Sequence, residues 1–195
     1  MKLLYLHGFR SSPRSFKARV VHSRMAELGR ADELICPHLP ASPRAAMALI
    51  HTLTDRYDAK ELAIVGSSLG GFYATWLAEQ RGCRAVLLNP AVDPLQDLDQ
   101  HVGVTTEYHS DAPFEFKREY IEELRALKVD AITRPERYFL LAATGDEVLD
   151  YRDMLRHYAG ARQKVIDGSD HAISEFPQYV DEVLDFCFSP QERSA

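Results

Sequence analysis

The sequence predicts an α/β fold, a three-layer sandwich in which about six parallel strands carry helices on both faces. Two observations predict it. Short, near-continuous apolar runs recur along the 195 residues, at 2–6, 33–36, 62–65, 85–88, 138–142 and 164–166. Such runs fit strands buried on both faces, as parallel strands are. Longer amphipathic stretches separate most of them, and that alternation is the mark of βαβ units.

Taken in order, run 2–6 ends in His7-Gly8-Phe9 and leads to a helix over about 14–29. Run 33–36 meets Pro37, and a helix follows over about 43–57. Run 62–65 passes through Gly66-Ser67-Ser68-Leu69-Gly70 into a helix at 70–81, and run 85–88 comes next. About fifty residues then separate Leu88 from Tyr138, too many for one crossover helix. This interval reads as a polar loop through His109 and a charged helix over about 114–127, together a small helical cap inserted at about 93–135. Run 138–142, a helix at 151–158, run 164–166 and a helix at 175–188 complete one domain over 1–190, with a tail at 191–195.

Composition excludes several classes. The chain is 46% apolar and 27% charged, ordinary for a globular protein and not for a disordered one. Twenty-three basic against twenty-nine acidic residues leave a net −6, without the overall basic footprint of a nucleic-acid binder. No window approaches the ~18 apolar residues of a membrane span. Cys36, Cys83 and Cys187 are odd in number, widely spaced and lack a CxxC, so neither a disulfide framework nor a zinc site is expected. The N-terminus has no signal-peptide core, and the expected compartment is the reducing cytoplasm.

The chemistry is concentrated at Gly66-Ser67-Ser68-Leu69-Gly70, a G-x-S-x-G between an apolar strand and a helix of good formers. That setting is what a nucleophile elbow requires. A sharp turn crowds the serine, and glycines two residues to either side relieve the crowding. The register assigns the nucleophile to Ser68 rather than Ser67. A Gly/Ser turn cradling a phosphate is the competing reading, but the Lys-Ser/Thr of a P-loop is missing.

A serine hydroxyl needs a base. His171 follows the last strand in Gly168-Ser169-Asp170-His171, on the edge where Ser68 lies. His22, His51 and His157 fall within helices, His38 follows a loop, and His101 and His109 lie in the inserted interval. The base in turn needs a carboxylate to fix its tautomer. Asp146, just past run 138–142, is favoured, with Asp93, Asp150 and Glu147 as alternatives. The order Ser68, Asp146, His171 is the serine–acid–histidine order of α/β-hydrolases. In that architecture the backbone N–H of Leu69 and an N–H from the first loop, here Phe9, form the oxyanion hole. Residues 10–30 carry six basic groups and one acid, a local +5 beside that loop. Arg10 and Arg14, with Lys17, are therefore candidates to draw in an anionic substrate or the phosphates of an acyl-thioester carrier.

Several blocks resemble one family. They are Leu4-Tyr5-Leu6-His7-Gly8-Phe9, Ser11-Ser12-Pro13, Ile35-Cys36-Pro37, Gly66 to Leu77, Asn89-Pro90-Ala91-Val92, and Thr144 to Tyr151. The chain resembles the YqiA-like family of small bacterial α/β-hydrolase esterases over nearly its whole length. The resemblance implies a serine carboxylesterase with possible acyl-CoA thioesterase activity, with the triad on Ser68, Asp146 and His171. Arg10 departs from the family pattern, where a neutral polar residue is expected. The expected substrate is a small acyl ester or thioester, with no metal or organic cofactor. A serine peptidase and a non-catalytic small-molecule binding protein are the alternative readings of the same fold.

Overall fold

The computed structural model describes residues 1–108, 110 and 112–189, with backbone alone at 96 and 97. The expected tail at 191–195 and His109 lie outside the described residues. In chain order the elements are β1 (Lys2–Leu6), α1 (Phe16–Glu27), β2 (Leu34–Ile35), α2 (Pro43–Thr54), β3 (Leu62–Ser67), α3 (Leu69–Arg81), β4 (Arg84–Leu88) and α4 (Leu95–Asp99). There follow β5 (Gly103–Thr106), β6 (Pro113–Phe116), α5 (Glu119–Arg125), β7 (Tyr138–Ala143), α6 (Tyr151–His157), β8 (Arg162–Ile166) and α7 (Val180–Phe188).

Six strands form one sheet in the order β2-β1-β3-β4-β7-β8, every neighbouring pair parallel. Successive side chains of a strand point to opposite faces, and the core divides accordingly. Leu3, Tyr5, Ala63, Val65, Val86, Leu88, Phe139 and Leu141 pack with α1 and α7 on one face. Leu4, Leu6, Leu62, Ile64, Leu87 and Leu140 pack with α2, α3 and α6 on the other. All six residues of β3 and of β7 are buried, which is why their sequences read as unbroken apolar runs. The strand order reverses between β1 and β3. A doubly wound sheet opens a crevice at such a switch point, beyond the carboxyl ends of the strands.

The edges depart from the sequence-based bounds. β8 begins at Arg162, two residues before the apolar run, because pairing with β7 carries its polar, exposed half. β2 is only two residues long. The last helix starts later than expected, after a 3-10 turn at Phe176–Gln178.

The largest correction falls between β4 and β7. The interval holds an antiparallel hairpin, β5 paired with β6, between two short helices. The charged helix expected over 114–127 is strand at Phe114 and Phe116 and helix only from Glu119. Phe116 is buried, and both phenylalanines stack edge-on against Phe9 with ring centroids 5.1 Å apart. That contact to the first loop, and not local propensity, decides the hairpin. No helix among the described residues is long and apolar enough to cross a membrane.

Candidate active site

Ser68 stands between the end of β3 and the start of α3 with φ 54° and ψ −123°, the left-handed region that side chains other than glycine rarely adopt. The turn is tight enough to exclude Cβ atoms at both flanking glycines. A Cβ on Gly66 would sit 2.4 Å from the Gly70 carbonyl oxygen, and one on Gly70 would sit 2.0 Å from that of Leu6. The hydroxyl-bearing residue is thus presented beyond the sheet edge at a helix N-terminus, whose dipole favours negative charge. Ser67, by contrast, is buried as the last residue of β3.

His171 lies in the loop between β8 and α7. Its Nδ1 is 2.8 Å from Asp146 Oδ2. A carboxylate only accepts, so Nδ1 donates and Nε2 is left as the basic nitrogen. The Asp146 side chain has no exposed surface, and its Oδ1 accepts from the N–H groups of Val148 and Leu149 at 2.8 and 2.9 Å. Those bonds fix which oxygen faces the imidazole. The alternatives serve elsewhere: Asp150 caps α6 through the Arg152 N–H, and Asp93 pairs with Lys128 at 2.6 Å. Glu147 accepts from the His171 backbone N–H at 3.0 Å.

Ser68 and His171 both line one cavity of about 540 Å³, a size typical of small-molecule sites. Phe9, Leu69, Ala91, Pro94, Leu98 and Leu149 give it apolar walls. The inserted segment supplies Pro94, Leu98, His101 and Tyr108, so it forms part of the enclosure. Gly8 brings the first loop against the serine; a Cβ there would lie 3.6 Å from Ser68 Oγ. His7 orders that loop. Its Nε2 accepts from the Leu39 N–H, which leaves Nδ1 to donate to the Gly8 carbonyl, both at 3.0 Å.

Of the sequence candidates, the fold gathers Ser68, His171, Asp146, Phe9 and Leu69. It does not gather the two arginines. Arg10 donates to the Thr106 carbonyl at 2.8 Å, and its guanidinium lies 4.5 Å from the Tyr108 ring centre. It ties the first loop to the hairpin, and its left-handed φ of 55° turns the chain there. Arg14 is exposed, and neither arginine is among the cavity's lining residues. Lys17 does line the cavity. Its Nζ donates to the His171 carbonyl at 3.0 Å. Burial pulls the ammonium down to about 8, against Asp146, Asp170 and Glu147, whose negative charges hold it up.

Sequence reasoning missed Asn89. It is fully buried after β4, and its amide spans two loops. Oδ1 accepts from the Ala143 N–H at 2.8 Å, while Nδ2 donates to the carbonyls of Asp170 and His171 at 3.1 and 3.2 Å. A polar residue closing an apolar strand was the only signal available.

The architecture is that of the α/β-hydrolases. The chain is similar to Est1E from Butyrivibrio proteoclasticus, whose structure holds ferulic acid, at 14% identity and TM-score 0.69, over 94% of this chain and 88% of that one. It is similar to the esterase domain of a Rhodothermus marinus protein at 20% identity and TM-score 0.62, over 94% and 84%. Tomato methylketone synthase I, complexed with 2-tridecanone, matches at 15% identity and TM-score 0.69, over 95% and 97%. At these identities the likeness is one of fold. The model of the uncharacterised protein family UPF0227, the YqiA family, matches residues 2–188, and the chain belongs to that family.

Proposed function

We propose that the chain is a serine carboxylesterase that hydrolyses short to medium acyl esters or acyl-CoA thioesters through an acyl-enzyme on Ser68. The observation that carries this reading is the buried Asp146 bonded to His171 Nδ1, with His171 facing the same cavity as the strained Ser68. His171 Nε2 takes the Ser68 proton as Oγ attacks the carbonyl carbon. The N–H of Leu69, first in its helix and so without an intrahelical acceptor, and the N–H of Phe9 receive the oxyanion. Each such donor is worth roughly 3–4 kcal/mol in comparable sites. His171 then protonates the departing alkoxide or thiolate. Water, deprotonated by the same imidazole, attacks the acyl carbon and frees Ser68. The apolar walls favour the hydrocarbon of an acyl chain, and the cavity volume favours a short or medium one.

The test is hydrolysis of p-nitrophenyl acetate, butyrate, octanoate and palmitate, with butyryl- and palmitoyl-CoA alongside, by the wild type and Ser68→Ala. The expected result is turnover on the shorter chains that vanishes in the variant, with fluorophosphonate labelling of the wild type alone. Wild-type protein that folds but neither turns over any substrate nor labels would refute the reading.

A further inference from the structure

His171 is held by its backbone as firmly as by its ring. The Glu147 carboxylate accepts from its N–H at 3.0 Å, and Lys17 Nζ and Asn89 Nδ2 both donate to its carbonyl. Lys17 is the unexpected member of this set. It sits in the first turn of α1, and its residue is only 8% exposed. The one side-chain hydrogen bond it makes among the described residues goes to a neutral carbonyl. A buried ammonium is costly unless charge compensates it. Here the charges that face it are Asp146 and Glu147 on the loop after β7 and Asp170 on the loop after β8. Asp170 is kept ionised first by the Ser174 hydroxyl that donates to it. Three carboxylates therefore act on the one cation that bonds the His171 carbonyl.

We propose that Lys17 is a positioning residue for the base: its ammonium holds the His171 backbone and balances the carboxylates around it, so that the imidazole stays aimed at Ser68. This inference rests on the serine-hydrolase reading above. Without the charge, Glu147 and Asp170 compete with Asp146 for the ring, and the base spends time turned from the nucleophile. The wild type loses that charge as pH rises through about 8.

The experiment compares wild type, Lys17→Met and Lys17→Gln on p-nitrophenyl butyrate between about pH 6.5 and about pH 10, with thermal melts of each. Methionine keeps the length without charge or donor. Glutamine keeps a donor for the carbonyl without charge. At neutral pH, kcat of Lys17→Met is expected to fall on the order of 10–100-fold with KM nearly unchanged, the size of a small misplacement of a reacting group. The wild-type-to-variant ratio should shrink towards a few-fold at the alkaline end. Lys17→Gln should lie between the two at neutral pH and show the same shrinkage, and it decides the matter if Lys17→Met does not fold. A packing role would lower kcat by one factor at every pH, so a flat ratio, or wild-type kcat in the variants, overturns the proposal. With Ser68→Ala inactive in the same assay, that outcome would leave the hydrolase reading standing. A Ser68→Ala protein as active as the wild type would remove that reading itself.

Discussion

Replacing Asn89 tests whether one buried amide holds the loops of the site together. Asn89→Ala removes the acceptor of the Ala143 N–H and the donors to Asp170 and His171. The His171 carbonyl keeps Lys17, but the Ala143 N–H at the end of fully buried β7 has no substitute. An orphaned buried donor costs about 1–3 kcal/mol, whereas the Asp170 carbonyl keeps the Ile173 N–H at 3.0 Å. Asn89 also holds φ 43°, where alanine pays roughly 1 kcal/mol that asparagine largely avoids. The sum is about 2–4 kcal/mol, a lowering of Tm by roughly 4–16 °C for a chain of this size. Asn89→Gly loses the same hydrogen bonds but tolerates the backbone, so it should be less damaging than Asn89→Ala by roughly 1 kcal/mol. Urea unfolding followed by far-UV circular dichroism measures both. Stability of Asn89→Ala within about 1 kcal/mol of the wild type would refute the hydrogen-bond argument. Equal losses in the two variants would refute the backbone share.

Two further outcomes follow from the same geometry. Asp146→Asn should fold and yet lose on the order of 10⁴ in kcat, as in a comparable triad. The asparagine oxygen takes the Val148 and Leu149 N–H groups, its NH₂ faces Nδ1, and the ring proton is forced onto Nε2; a loss under about tenfold in steady-state hydrolysis would contradict this. Lys17→Met should raise stability at neutral pH by up to about 3 kcal/mol, since burial lowers the folded ammonium to about 8 from 10.5. Below about pH 8 lysine is charged in both states and the wild type bears the whole cost. Between there and about 10.5 the unfolded chain binds more protons, so wild-type stability climbs towards the variant's and the gap closes. Urea midpoints at pH 7 and pH 10 check it, and a gap that widens with pH would sink the argument.

The central strands were legible because burial on both faces forces an unbroken apolar run, as in Leu62–Ser67 and Tyr138–Ala143. The hairpin was not. Gly103, Val104 and Thr106 are exposed, so no alternating pattern marks the strand, and the contact that organises it is between Phe9 and two residues more than a hundred positions away. Ser68 could be read from its motif because the elbow is a local structure with local glycine requirements. Strand position and the family resemblance favoured Asp146 over Asp93 and Asp150, but the bonds of Lys128 and Arg152 that occupy the other two exist only in the folded chain.

By itself, then, the sequence determined the sandwich and the strand–turn–helix that carries Ser68, because each is written in local periodicity or local spacing. The tertiary structure alone decided how His171 is held. Lys17, Asn89 and Glu147 meet His171 across separations of 154, 82 and 24 residues, and what they bind is its backbone. Every residue but proline carries the same N–H and carbonyl, so a partner of that kind leaves no trace in the letters of the chain.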